Sequence, residues 1–483
     1  MNPPIRRLAV VVVAMFLALM IAATSVQFFQ ADTLNAHPRN VRTIYREYGR
    51  DRGPIIVAGE AVASSVPVDD NYGYQRVYPE GELYAHVTGY FSTAHNRLTG
   101  LERAKNDVLN GTSSSLLLER IQTLVTGRQP QGGAVQLTID PAAQQAAAEG
   151  LGDRSGAVVA LDPSTGAILG MVSSPSFDPN ALASHSREEA DEAWEAYTGP
   201  DSGEPLVNRA IAGDQYAPGS TFKVITAAAA LENGDYSPDT MVPGPTELDL
   251  PQTDHIIQNP GQLPCGDGSG EVTLLQAFRQ SCNTTFGQLS MDLGDDALRA
   301  QAQAFGFGEE LEIPMEVTPS RFPEEPTPPE LAMSGIGQAS VRVTPLQMAM
   351  VAAAVANDGV QMHPHLVARE LTADLEEVSV TQPRALRQSV SSETADALTG
   401  MMREVVANGT GTEAQIPGVE VAGKTGTAEI SAEVEPHSWF LGFADAAEGS
   451  TPEVAVAVLV ENGGDGGATA GPIAREVMEA VLQ

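Results

Sequence analysis

The chain has 483 residues, 42% of them hydrophobic, and carries 62 acidic against 27 basic side chains for a formal net charge of -35 at pH 7. That length allows two or three domains and at least one large core. The charge excludes a nucleic-acid partner, whose phosphates need a basic footprint, and electrostatic docking on anionic lipid.

Leu8 to Phe29 is apolar except for Thr24, Ser25 and Gln27. At ~1.5 Å per residue this run crosses the ~30 Å hydrocarbon core of a membrane. Arg6 and Arg7 precede it, so residues 1–7 read as a cytoplasmic tail, residues 8–29 as a single-pass anchor in the cytoplasmic membrane, and the rest of the chain as extracytoplasmic. A cleaved signal peptide is the rival reading, but its apolar region spans only ~7–15 residues.

Residues 31–130 read as a separate non-catalytic domain of mixed secondary structure, with turn signals at Arg52-Gly53-Pro54 and Asn71-Tyr72-Gly73 and short β-like runs such as Ile55 to Ala58. The polar, Gly-rich joint from Gly127 to Gly133 closes it. A second domain, 135–483, opens on a short strand from Val135 to Asp140, and Pro141 begins the helix after it. Gly156 to Asp162 and Gly166 to Ser173, joined by Pro163-Ser164-Thr165, predict a β-hairpin.

The middle predicts helices after Ser220 and over Leu274 to Asp292, Asp296 to Phe305, Pro345 to Asn357 and Glu393 to Ala407. Pro-rich polar loops are predicted at Pro238 to Gly270 and Ile313 to Pro329. Strand-like runs return at Val419 to Ile430, Ser438 to Phe443 and Val454 to Glu461, before a last helix from Ile473 to Leu482. Five strands split between the two ends of one domain, around a helical middle, predict an α+β fold: a five-stranded antiparallel sheet covered by helices.

The stretch Gln215 to Asn233 carries the chemistry. Pro218-Gly219 is a turn, and the Ala-rich apolar run after it is a buried helix with Ser220 on its first turn and Lys223 on the same face. A serine hydroxyl is a poor nucleophile until a neighbouring base takes its proton. A lysine serves as that base only when burial and the helix dipole depress its pKa. The bland reading, a solvated lysine near a helix start, is weakened by composition. The chain has only three lysines, Lys105, Lys223 and Lys424, so 24 of its 27 basic residues are arginine. Arginine cannot be deprotonated and could not replace a catalytic base.

The two cysteines, Cys265 and Cys282, have no histidine nearby in nucleophile or metal-ligand spacing. Outside the membrane a disulfide between them is the expectation, contributing ~3 kcal/mol by loop closure, with a buried free thiol as the alternative.

Two further short motifs follow Ser220, namely Ser281-Cys282-Asn283 and Lys424-Thr425-Gly426-Thr427. Each is common alone, but the order S-x-x-K, S-x-N, K-T-G resembles that of the penicillin-binding proteins, serine acyl-transferases acting on the D-Ala-D-Ala ends of peptidoglycan stem peptides. Further stretches extend the resemblance over nearly the whole chain: RVYPEGELYAHVTGY at 76–90, GLE at 100–102, LTIDPAAQQAA at 137–147, ALDPSTGAILGMVSSPSFDPN at 160–180 and VTPLQMAMVAAAVANDG at 343–359. The N-terminal stretches are similar to the pedestal of the class B, monofunctional branch, and most of all to its actinobacterial cell-division type.

The resemblance implies that Ser220 is the acylated nucleophile and Lys223 its base, and that Ser281 relays a proton to the leaving amine. It implies that Asn283 holds Lys223 and the substrate amide, and that Lys424 supplies positive charge to the relay. Thr425 and Thr427 would bind the substrate's terminal carboxylate, with Gly426 between them allowing close approach, and the N–H groups of Ser220 and Thr427 would form the oxyanion hole. It implies no cofactor and no metal, and His363-Pro364-His365 reads as loop.

The implied partners are stem peptides, β-lactam antibiotics, the membrane, a glycosyltransferase and division proteins. The ~110 residues between anchor and catalytic domain are too few for a glycosyltransferase of the chain's own. A D,D-carboxypeptidase or β-lactamase on the same fold, and a non-catalytic scaffold or β-lactam sensor, are the alternative functions.

Overall fold

The computed structural model describes residues 3–25, 50–113, 116, 131–213, 215–431, 433–445 and 452–483. Val26 to Phe29 of the sequence-read anchor, both ends of the 31–130 segment and the joint up to residue 130 lie outside the described residues. The first helix runs from Pro3 to Thr24, and its Arg6–Thr24 portion is long and apolar enough to cross a membrane.

Two sheets organise the rest. The first has six strands in the order Glu377–Val380, Val367–Leu371, Ala134–Leu137, Ile55–Val57, Glu60–Pro67 and Tyr74–Val77. Only the central pair, Ile55–Val57 with Ala134–Leu137, is parallel. The strand expected to open the catalytic domain therefore sits in the N-terminal sheet, beside strands from late in the chain.

Beneath this sheet Glu102 is fully buried between Arg52, 2.5 Å away, and Arg76, 2.6 Å away. The two guanidiniums hold its carboxyl below the usual carboxylate range against the opposing effect of burial. Lys105, the one lysine outside the motifs, forms a partly exposed pair with Glu370 at 2.8 Å and ties this region to the strand Val367–Leu371.

Among the described residues the second sheet has the five predicted strands and no others: Val421–Ala428, His437–Ala444, Val454–Val460, Gly156–Leu161 and Ile168–Ser174, in that order and antiparallel throughout. Its strands are apolar on both faces because both are covered. Val159, Leu161, Leu441 and Leu459 face the helical middle, including the wholly buried helix Pro345–Ala356. Val158, Ala160, Val456 and Val458 face the helices Pro141–Leu151 and Gly466–Leu482.

Three expectations are corrected by the structure. The predicted helix Leu274 to Asp292 is two helices, Leu274–Arg279 and Asn283–Leu293, broken where Ser281 takes φ 59°. The last helix begins at Gly466, not Ile473, because Asp465 caps it by accepting a hydrogen bond from the Ala468 N–H, and Pro472 is tolerated inside it. The predicted loop Pro238 to Gly270 contains short strands, Met241–Pro243, Glu247–Asp249 and Ile256–Gln258, in two small antiparallel pairs completed by Glu271–Thr273.

Candidate active site

The second sheet and the helical middle meet in a cleft of about 760 Å³ along the edge strand Val421–Ala428. Ser220, Ser281, Asn283, Thr425, Gly426 and Thr427 all line it, together with the 255–262 segment and Thr410.

Ser220 lies in a single 3-10 turn, Gly219–Phe222, that leads into the helix Lys223–Glu232. The turn is wedged against the edge strand. Gly219 has φ 54°, and a Cβ there would stand 2.7 Å from the Thr427 carbonyl oxygen. A Cβ at Gly426 would meet Thr221 Cγ2 at 2.8 Å and the Pro218 carbonyl oxygen at 3.0 Å. The close approach that glycine permits at 426 is thus made by the protein's own serine-bearing turn. Behind the turn, Trp439 Nε1 donates to the Ala217 carbonyl at 3.0 Å. Glu461 accepts from the Tyr216 hydroxyl at 2.6 Å and from Arg209 at 2.8 Å.

Lys223 and Lys424 have no exposed surface. Lys223 Nζ donates to the Ser281 carbonyl at 2.7 Å, to Asn283 Oδ1 at 2.8 Å and to Ser281 Oγ at 3.3 Å. Lys424 Nζ donates to the same Ser281 Oγ at 2.9 Å and to the Thr425 carbonyl at 3.0 Å. The break at Ser281 makes this possible, because its left-handed backbone turns its carbonyl, its hydroxyl and the next helix's first side chain toward one ammonium. Among the described residues no hydrogen bond joins Ser220 Oγ to Lys223, so the hydroxyl in contact with both lysines is that of Ser281.

No carboxylate offsets these two charges among the hydrogen bonds each makes. Burial, and then the neighbouring Lys424 charge, hold the Lys223 ammonium well below its ordinary pKa. Burial alone lowers Lys424 to about 7. Both shifts favour release of a proton from the pair, and a lysine that has released it can act as a base.

Cys265 and Cys282 form the expected disulfide. Cys282 stands between Ser281 and Asn283, so the bridge ties the broken segment to the 255–265 loop on the lip of the cleft. Asn283 Nδ2 donates across that lip to the Gln258 carbonyl at 2.9 Å. His363 and His365 bond to nearby carbonyls of their own loop.

The chain matches the penicillin binding protein transpeptidase domain over residues 156–479, and the penicillin binding protein A dimerisation domain over residues 52–135. It belongs to the penicillin-binding protein transpeptidase family. It is 44% identical to the peptidoglycan D,D-transpeptidase PbpA of Mycolicibacterium smegmatis across 100% of this chain and 99% of that one. Identity to PbpA of Mycobacterium tuberculosis is 45% at the same coverage. The ceftriaxone acyl-enzyme of M. tuberculosis penicillin-binding protein A superposes with TM-score 0.86 at 43% identity, covering 91% of this chain and 100% of that one.

For this penicillin-binding protein the motif reading named Ser220, Lys223, Ser281, Asn283, Lys424, Thr425, Gly426 and Thr427; six of them line one cleft, and Lys223 and Lys424 lie buried behind it against Ser281. It missed Thr410, whose hydroxyl bonds that of Thr425, and the Tyr216, Arg209 and Glu461 support. A threonine between glycines at the end of a predicted helix was the only local sign of the former.

Breaking the disulfide tests how far that loop is braced. Cys282→Ser is expected to cost ~3 kcal/mol of stability, seen as a lower denaturation midpoint, and to slow acylation by penicillin G because Ser281 and Asn283 lose their tether. An unchanged midpoint would mean that packing alone holds the loop.

Proposed function

We propose that the chain is a membrane-anchored serine D,D-transpeptidase that cross-links peptidoglycan stem peptides, and that β-lactams acylate it. The observation that carries this is the pair of buried lysines meeting at Ser281 Oγ directly behind the Ser220 turn. The M. tuberculosis relative crystallised as ceftriaxone, imipenem and penicillin G acyl-enzymes supports it.

In this reading the neutral Lys223 amine takes the Ser220 proton as Oγ attacks the carbonyl of the penultimate D-Ala. The resulting oxyanion is held by the N–H groups of Ser220 and Thr427. Asn283 and the Ser281 carbonyl keep the Lys223 amine in place. Collapse of the tetrahedral intermediate breaks the peptide bond. Ser281 hands a proton to the leaving D-Ala amine and is resupplied through Lys424. An amine of a second stem peptide then attacks the ester and loses its proton along the same route, while Lys223 returns its proton to Ser220 Oγ as the ester bond breaks. Thr425 and Thr427 hold the terminal carboxylate.

The N-terminal helix, with Arg6 and Arg7 before its apolar core, supports a single-pass anchor with the N-terminus inside and the cleft outside. Residues 31–130 then form the greater part of a pedestal, and a glycosyltransferase and division proteins are its proposed partners on resemblance alone.

The test is to give the detergent-solubilised full-length chain a donor pentapeptide and an amine-bearing acceptor peptide, and to follow products by mass spectrometry. A cross-linked dimer, with D-Ala released in equal amount, is expected. D-Ala release without dimer would make the chain a carboxypeptidase, and neither product would remove the enzymatic reading.

A further inference from the structure

We propose that Thr410 is a positioning residue for recognition of the substrate's terminal carboxylate, acting through Thr425. This rests on the transpeptidase reading above. Thr410 lies outside the three motifs, in the Gly-flanked turn that follows the helix Ser392–Asn408. It reaches the cleft nonetheless, and its Oγ1 stands 2.6 Å from Thr425 Oγ1.

The backbone fixes it there. The N–H groups of Gly409 and Gly411 both donate to the Val405 carbonyl, at 3.1 and 3.0 Å. From the other side, the start of the closing helix presses on it so closely that a Cβ at Gly467 would stand 2.3 Å from the Thr410 carbonyl oxygen. The hydroxyl can therefore be removed without moving the chain that bears it.

A hydroxyl has one proton and two lone pairs. Were Thr425 to donate to Thr410, it would turn only lone pairs toward an arriving carboxylate, which can itself only accept. The productive arrangement is the reverse, with Thr410 donating to Thr425 and Thr425 donating to the carboxylate. A donor that itself accepts a hydrogen bond is also the more polarised one.

Thr427 is arranged in the same sense, since its Oγ1 accepts from the Gly466 N–H at 3.4 Å and its proton stays free. Both hydroxyls of the Lys424 to Thr427 motif are thus supplied from behind by groups outside it. Lys424 adds its charge through the Thr425 carbonyl.

The test compares the full-length chain with Thr410→Val, which keeps the shape and loses the hydroxyl, and with Thr410→Ser, which keeps both the hydroxyl and its reach. Rate constants for acylation of Ser220 are measured with penicillin G and with its methyl ester, which lacks the carboxylate. Loss of the neutral hydrogen bond that Thr410 donates to Thr425 predicts that Thr410→Val slows penicillin G roughly twofold to tenfold. Thr410→Ser should restore most of that rate, and the methyl ester should react equally with all three chains.

An equal loss on both probes would overturn the proposal and leave Thr410 a structural residue. An unslowed reaction of Thr410→Val with penicillin G would overturn it as well. Failure of the underlying reading would show differently, as the absence of any Ser220 adduct in the unsubstituted chain.

Discussion

Mixed with penicillin G, the full-length chain is expected to gain the mass of one penicilloyl group and keep it for hours, and Ser220→Ala is expected to gain nothing. The rival nucleophile is Ser281, whose hydroxyl is the one that touches both lysines, at 3.3 and 2.9 Å. Two features decide against it. Ser281 Oγ already serves both ammonium groups at the buried floor of the cleft, with only 5% of the residue exposed, which suits a group that passes protons. Ser220 is partly exposed at the start of the turn, against the backbone of Thr427, where an attacked carbonyl would find two N–H groups.

Peptide mapping of the adduct separates the two. Ser281→Ala should still be acylated, more slowly, on Ser220. An adduct mapped to residue 281, or one that survives in Ser220→Ala, would reverse the roles of the two serines.

The lifetime of the adduct carries a second piece of information. A β-lactamase clears it within seconds, because a positioned base delivers water to the ester. The cleft is lined instead by Ser281, Asn283 and the Thr425 to Thr427 strand, with Glu429, Glu435 and Asp465 at its rim. The last of these is committed to capping the closing helix.

The second sheet was legible because each of its strands is a short apolar run bounded by turn residues, a pattern that survives without tertiary information. The first sheet was not. It pairs Ala134–Leu137 with strands from residues 55–57 and 367–371, and no local pattern announces a partner more than two hundred residues away.

At the site the three motifs named residues that the structure brings together, but one contact differed from the geometry they suggested. The spacing of Ser220 and Lys223 placed them on one helical face. In the structure a 3-10 turn carries the serine, the α-helix begins at the lysine itself, and the ammonium is drawn toward Ser281 and Asn283. The cause is the left-handed Ser281, a conformation for which serine carries no sequence signature. A strained residue between two helices shaped the part of the site that motifs could not show.

Replacing Lys223 tests the chemistry rather than the geometry. Lys223→Arg keeps a cation in the pocket but not one that can shed its proton, so acylation by penicillin G is expected to fall by ~10²–10⁴-fold, the usual contribution of a general base. The unsubstituted chain should show a rate that rises with pH as Lys223 loses its proton and falls again as Lys424, lowered to about 7, loses its own. The two sites share Ser281 Oγ, so these limbs belong to the coupled pair.

Lys424→Met supplies the sign. The Lys424 charge is one of the forces expelling the Lys223 proton, so removing it lets Lys223 stay protonated to higher pH. The acid limb should move upward, and the maximal rate should drop as Ser281 loses a donor. Stopped-flow acylation across the pH range measures both. An acid limb that stays in place would assign it to another group, and an undiminished rate in Lys223→Arg would leave Ser220 without the base proposed for it.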